Sequence, residues 1–294
     1  MRALVAGLCL VFALAGPALA FGTVNIRPQS AEHEKITRRA LECAPGRSPD
    51  TCFEPATLDQ LAGRPGTFGA IGYPDSSTAV FHGPAHCDNG DAPGGLAACR
   101  DWMEAHIEEA VGDAAGLLGQ DGRIRSRPVS LRPGCVWILN LKGRAKCNVL
   151  QDFGIALHAA QDFYAHSNWS DDARETDPPG LGRSGPADVI GLRASPPFPP
   201  GLVSGCFSLA SSCAGRITHE QLNKDTGPIG EDIGPGTTPR GARHDNFRRA
   251  VLAAVADTSD KWALLRERLV ARYGRSDGER MICALTRDDP TASC

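Results

Sequence analysis

The chain has 294 residues, a formal net charge of −3 and 6% aromatic residues. A nearly balanced charge without a basic-aromatic stripe gives no case for a dedicated nucleic-acid-binding surface, although a nucleic acid could still be a substrate. The length suffices for one large core or for two domains.

The first twenty residues read as a signal peptide. Arg2 supplies the positive start, Ala3 to Ala15 is almost wholly apolar, and Ala18-Leu19-Ala20 is a small-x-small cleavage signal. The expected mature chain therefore begins at Phe21, and residues 21–294 form one metal-binding helical domain in an exported protein. The apolar run is too short for a transmembrane helix, and no other segment approaches about 20 apolar residues. Cys9 lies inside the apolar run after Leu8, which argues against lipidation.

Ser30 to Cys43 reads as the first helix, with Ser30 as N-cap and Ile36, Ala40 and Leu41 on one face. Ala44 to Gly95, rich in Gly, Pro, Asp and Ser, reads as long ordered loops. Ala97 to Leu118 is a second helix with Trp102, Ile107, Val111 and Leu118 on its buried side. Val129 to Leu141 is a short hairpin or extended link. Ala145 to His166 is the strongest helix, keeping Val149, Phe153, Ala156, Leu157 and Ala160 at helical spacing with Gly154 as its one irregular residue. Proline density makes Pro178 to Pro200 an irregular connector. Asn246 to Tyr273 is the last long helix, closed by Gly274. The expected class is all-α: a single helical domain with long disulfide-stapled loops around a metal-binding core helix.

Beyond Cys9 the cysteines fall into five short-range pairs: Cys43/Cys52, Cys87/Cys99, Cys135/Cys147, Cys206/Cys213 and Cys283/Cys294. In an exported chain these read as disulfides, each contributing about 2–3 kcal/mol by closing a small loop. No Cys-x-x-Cys is present, which argues against zinc-thiolate sites. Paired cysteines leave no thiol nucleophile. The sequence also lacks a Gly-x-Ser-x-Gly elbow, a dinucleotide glycine fingerprint, a phosphate loop and a His-Glu-x-x-His pair.

The segment Leu157-His-Ala-Ala-Gln-Asp-Phe-Tyr-Ala-His-Ser-Asn-Trp169 carries chemistry. His158, Asp162 and His166, four residues apart, stack along one helix face. A lone His-x-x-x-Asp is more often a surface pair or a satisfied core group. Here Leu157, Phe163, Tyr164 and Trp169 flank the row, and a buried row of three ionisable groups is costly without a cation. Eight residues span about 12 Å, too long for one ion, so the row suits two or more ions with Asp162 bridging.

The run "FGIALHAAQDFYAHSNW" resembles the signature of Het-C (heterokaryon incompatibility) proteins and of exported bacterial CinY-like proteins. "EHEKITRRAL", "GTFGAIGYPD", "HCDNGD", "LNKDTG" and "MICALTRDDP" extend the CinY-like resemblance over most of the mature chain. More remotely it is similar to the zinc-dependent phospholipase C and single-strand nuclease superfamily, whose motif has two more residues between the Asp and the second His. That resemblance implies a three-zinc cluster in a helical fold. Its ligands would be the Phe21 α-amine, His33, Asp75, His86 in preference to His82, then His158, Asp162 and His166, with His219 and Asp225 from a later segment. The role of His244 stays open. His106, among Glu104, Glu108 and Glu109, reads as a solvated helix face and is set aside.

The implied activity is metal-dependent phosphoester hydrolysis outside the cell, using two or three zinc ions. The substrate would be a phosphoester small molecule or lipid headgroup. Asp162 would bridge ions, and Asp75 would be a ligand or the base for the attacking water. The alternative is a non-enzymatic secreted protein that keeps metal for structure or partner binding.

Overall fold

A computed structural model describes residues 21–24, 29–65, 67–137, 143–207 and 212–294. The expected signal peptide and the end of the expected 129–141 link lie outside them. The fold is helix-rich, with isolated β-bridges and no sheet among the described residues.

In chain order the helices are α1 (Glu32–Leu41), α2 (Pro55–Leu61), α3 (Tyr73–Ser76), α4 (Gly95–Asp113), α5 (Ser126–Val129), α6 (Ala145–His166), α7 (His219–Leu222), α8 (Asn246–Thr286) and α9 (Pro290–Ser293). The first helix starts later than Ser30. Ala31, not Ser30, is the N-cap; it takes a left-handed φ of 53° and gives no side-chain cap bond, while the Glu32 carboxylate accepts from the Ser30 and Gly227 amides outside the helix. The stretch expected as loops, 44–95, breaks into α2, α3 and short 3-10 turns at Pro49–Thr51, Ala70–Gly72, Thr78–Phe81 and Gly83–His86. Pro49, Pro55, Pro74 and Pro84, in the first turns of four of these pieces, fix φ without losing a helical hydrogen bond. Gly274, non-helical at φ 80° and ψ 163°, ends the expected Asn246–Tyr273 helix, and a further helix follows across this kink to Thr286, the two together making α8.

All five expected cystines form: Cys43–Cys52, Cys87–Cys99, Cys135–Cys147, Cys206–Cys213 and Cys283–Cys294. No helix among the described residues is long and apolar enough to cross a membrane.

Helix α6 is the axis of the molecule, with every residue from Lys146 to His166 buried. Its first half packs Val149, Leu150, Phe153 and Leu157 into a core with Trp262, Leu265 and Leu269 of α8 and Ile107 and Val111 of α4. Its second half packs Ala160, Phe163 and Tyr164 with Phe21, Ile36, Phe247 and Val251. A helix buried all round should be apolar all round. This one carries His158, Gln161, Asp162 and His166 at 0% exposure, so those groups need partners inside the protein.

Candidate metal centre

Gly154 decides how closely the chain approaches α6. A Cβ there would lie 2.7 Å from Ala70 Cβ and 2.8 Å from the Ile71 amide nitrogen. The bare backbone admits the 70–72 turn one helical turn before His158. The Ile71 carbonyl thereby reaches His158 Nδ1 at 2.8 Å. Asp75 follows in α3, its Oδ2 held by the Thr23 hydroxyl.

Three other histidines are fixed in the same manner. His33 Nδ1 donates to Gln161 Oε1 at 2.8 Å, and Gln161 is oriented by giving its amide protons to Thr37 and Thr258. His86 Nε2 donates to the Ala79 carbonyl at 3.2 Å, and His166 Nδ1 to the His86 carbonyl at 2.8 Å. A carbonyl only accepts, so each partner sets the tautomer and leaves a lone pair on the other ring nitrogen. Metal-ligating histidines are oriented by such outer contacts.

Those lone pairs converge on carboxylates. Asp162 Oδ2 lies 3.1 Å from both His158 Nε2 and His86 Nδ1, which are themselves 3.0 Å apart. Asp162 Oδ1 faces His33 Nε2 at 3.2 Å. Asp75 Oδ1 stands 3.7 Å from His158 Nε2 and 3.8 Å from His86 Nδ1. His33 Nε2, Asp75 Oδ1 and Asp162 Oδ1 are buried without a hydrogen-bond partner. Donors bound at 2.0–2.1 Å around a tetrahedral ion sit about 3.3 Å apart, the scale of these separations. The donor set of imidazole and carboxylate suits a zinc-like divalent cation. Two groups, His33/His158/Asp162 and Asp75/His86/His158, could each hold one.

A third group lies one turn further along α6. Asp88 Oδ1 is 3.2 Å from His166 Nδ1 and from His219 Nδ1. Asp225 Oδ1 is 3.0 Å from His166 Nε2, and its Oδ2 is 3.2 Å from His219 Nε2. Asp88, His166 and His219 could hold an ion. His219 opens α7, capped by the reciprocal Thr218–Gln221 box. Gly205 lets this arm lie close, since a Cβ there would stand 2.5 Å from His219 Cα. Buried Lys224 ties the arm down through Asp171 at 2.9 Å and the Ser167 and Leu222 carbonyls.

Electrostatics agree with the geometry. Burial pushes the Asp162 carboxyl up, but His158, His166 and His33 outweigh it and hold it well below the usual range. Burial likewise opposes Asp88, which His166 and His219 pull down to about 2, and Asp225, which the same histidines lower. Burial disfavours charge on His158, His166 and His219, yet Asp162 and Asp75 raise the first, Asp225 and Asp88 the second, and Asp88 and Asp225 lift His219 to about 9. The cluster demands positive charge among its carboxylates, supplied by protons or by metal ions.

The structure brings His33, Asp75, His86, His158 and Asp162 together, and His166, His219 and Asp225 together. The Phe21 ring is fully buried, edge-on to His33 at 5.9 Å. His82 is exposed and lies tilted against Trp102, and His244 is exposed, so neither joins the cluster. The expected single row splits, because Asp88 and Asp225 draw His166 into its own group. Sequence reasoning missed Asp88 and Gln161. Both stood inside quoted motifs, Asp88 two residues after His86 and Gln161 beside Asp162. His106, set aside as solvated, is buried against Asp152 of α6.

Comparison of the chain with protein-family models, with curated proteins and with solved structures finds no match.

Proposed function

We propose that this chain is a secreted zinc-dependent phosphoester hydrolase of the phospholipase C and nuclease type, acting on a phosphoester small molecule or lipid headgroup. The observation that carries this reading is the convergence of histidine ring nitrogens on Asp162 and Asp75, inside motifs that resemble Het-C and CinY-like proteins. His158 has one free ring nitrogen and would serve one ion: His33 and Asp162 Oδ1 would hold one; Asp75, His86, His158 and Asp162 Oδ2 a second; Asp88, His166, His219 and Asp225 a third. The Phe21 amine, freed by cleavage, would complete the first. Bound ions would stabilise charge on phosphoryl oxygens and acidify a water.

The chain's own groups divide the remaining work. The carbonyls of Ile71, Ala79 and His86 hold the imidazoles in register. The Asp75 side chain is 10% exposed where Asp162 is sealed, and its buried Oδ1 has no hydrogen-bond partner. In this reading Asp75 would take a proton from an attacking water. Thr23 holds the other oxygen of Asp75 and keeps the carboxylate from swinging away.

A second reading rests on the sealing itself. Apart from Asp75, the named histidines and carboxylates are no more than 5% exposed. Such a cluster also serves as a metal staple between α1, α6 and the 219–225 arm. Zinc-loaded mature protein tested on bis(p-nitrophenyl) phosphate separates the readings. The hydrolase reading expects turnover that Asp75→Asn abolishes, with zinc weakened at the second group alone. Stoichiometric zinc without turnover on this diester, on lipid or on oligonucleotide would leave the staple.

A further inference from the structure

Charge is spread unevenly along the chain. Between Asp121 and Asp152 the sequence holds seven Lys or Arg and no acid, although the whole chain has a net charge of −3. This stretch borders a cleft of about 870 Å³ at the start of α6, a size that suits a small organic ligand. Arg127, Arg132 and Arg144 line the cleft, and among the described residues no carboxylate does. A cleft lined by one sign of charge concentrates the opposite ion.

The walls are fixed by the fold. The Cys135–Cys147 cystine ties the 132–137 segment to the first turn of α6. Arg144 Nη2 crosses the same gap to the Pro133 and Gly134 carbonyls and to Cys147 Sγ, and its Nε and Nη1 have no partner among the described residues. The Ser130 hydroxyl accepts from the Arg132 amide at 3.0 Å and donates to the Arg132 carbonyl at 3.1 Å, which pins the backbone there. The Arg127 and Arg132 side chains are exposed and unpaired among the described residues.

Asn148 supplies the second, independent sign of a ligand. It lies in the first turn of α6, lines the cleft and is only 9% exposed. Its Oδ1 accepts from the Gly143 amide at 2.6 Å, which sets the orientation of the side-chain amide. Its Nδ2 has no partner among the described residues. A donor this buried calls for an acceptor in the cleft. No side chain caps α6 at this end, so its first amides also favour negative charge. Trp137, packed against the core, adds an apolar wall.

We propose that this cleft binds a small organic phosphate, its phosphate on Arg127, Arg132, Arg144 and Asn148 and its organic body against Trp137. Several guanidinium forks match the charge and the many acceptor oxygens of phosphate better than those of a carboxylate. The site is separate from the metal centre, because Asn148 precedes His158 by ten residues, about 15 Å along the helix. It does not depend on the hydrolase reading.

The test is calorimetric titration of phenylphosphonate, which has no ester bond to hydrolyse, into the purified mature chain. Saturable binding is expected, weaker for inorganic phosphate and for benzoate. Arg127→Gln/Arg132→Gln, at exposed positions that keep the fold, should weaken it roughly tenfold or more. Asn148→Asp keeps the oxygen that holds Gly143 and replaces the free donor by a negative charge, so it should weaken binding at least as much. Absence of saturable binding below about 10 mM would overturn the proposal. So would an affinity unchanged by both variants, or benzoate bound as tightly as phenylphosphonate.

Discussion

His158 Nε2 and His86 Nδ1 lie 3.0 Å apart, although the other nitrogen of each ring is already committed as a donor to a backbone carbonyl. Two neutral rings so arranged point lone pairs at each other and at Asp162 Oδ2. Only a positive charge between them relieves the contact. Removing metal with a chelator should therefore destabilise the folded chain. An ion at a hundredfold its dissociation constant contributes about 2.7 kcal/mol, or about 5–10 °C in melting temperature for a chain of this size. Identical melting of the zinc-loaded and chelated protein would refute a metal centre here.

Asp162 should be the most damaging single loss. One oxygen faces His33 and the other faces both His86 and His158. Asp162→Ala should cost more bound zinc than His33→Ala or His86→Ala, and Asp162→Asn should fall between. Elemental analysis of the purified variants checks the order, and a histidine variant losing more metal than Asp162→Ala would contradict it.

Gly154→Ala tests the close approach that places the Ile71 carbonyl. The added methyl meets Ala70 and Ile71 backbone, not a movable side-chain tip. Overpacking should cost about 1–3 kcal/mol, and displacement of the turn should weaken metal binding at His158 and Asp75. Gly112→Ala is the control, since nothing stands within 4 Å of its Cβ position in α4. It should be neutral or stabilise by up to about 1 kcal/mol. Equal urea midpoints for the two variants would sink the argument.

Cys87 stands between His86, which faces Asp162, and Asp88, which faces His166 and His219. Its backbone is left-handed, with φ 51°, and its cystine to Cys99 pins it to α4. The double variant Cys87→Ser/Cys99→Ser should lose about 2–3 kcal/mol and also bind less zinc at both groups. Removing Cys283–Cys294, whose separation of 11 residues nearly equals the 12 of Cys87–Cys99, should cost similar stability with full zinc content. Equal zinc in both double variants would contradict the assigned role of Cys87.

Lys146 supplies a pH signature away from the centre. Its ammonium is buried at the start of α6, donating to Thr57 Oγ1 and the Arg287 carbonyl. Burial lowers it to about 8 against the opposing pull of Asp288 and Glu54. The unfolded chain holds this proton more tightly than the folded one, so stability rises with pH between about 8 and 10.5. The gain is up to about 3 kcal/mol over the window. Urea unfolding of the parent and of Lys146→Met should converge or cross as pH rises; parallel curves would exclude it.

The sequence alone determined the features whose cause is local. Helix α6 was legible from end to end, because apolar spacing at 3.6 residues depends only on neighbours along the chain. The five cystines were legible because each closes a loop of at most 12 residues, short enough for proximity to select the partner. His158, Asp162 and His166 stood out because a buried helix carries polar groups only at a cost. The tertiary structure alone decided which groups meet across elements. Asp88 and Asp225 divide the row by claiming His166, and His86 faces inward while His82 stays exposed, because the Gly83–His86 turn rotates one into the core. His106 looked solvated beside its own glutamates, but α4 packs against α6 and Asp152 comes from the other helix. Gly154 read as an irregularity until the 70–72 turn lay against it. In each case the deciding atom lies at least 40 residues away in the chain or around a tight turn, where spacing along the sequence carries no information about distance.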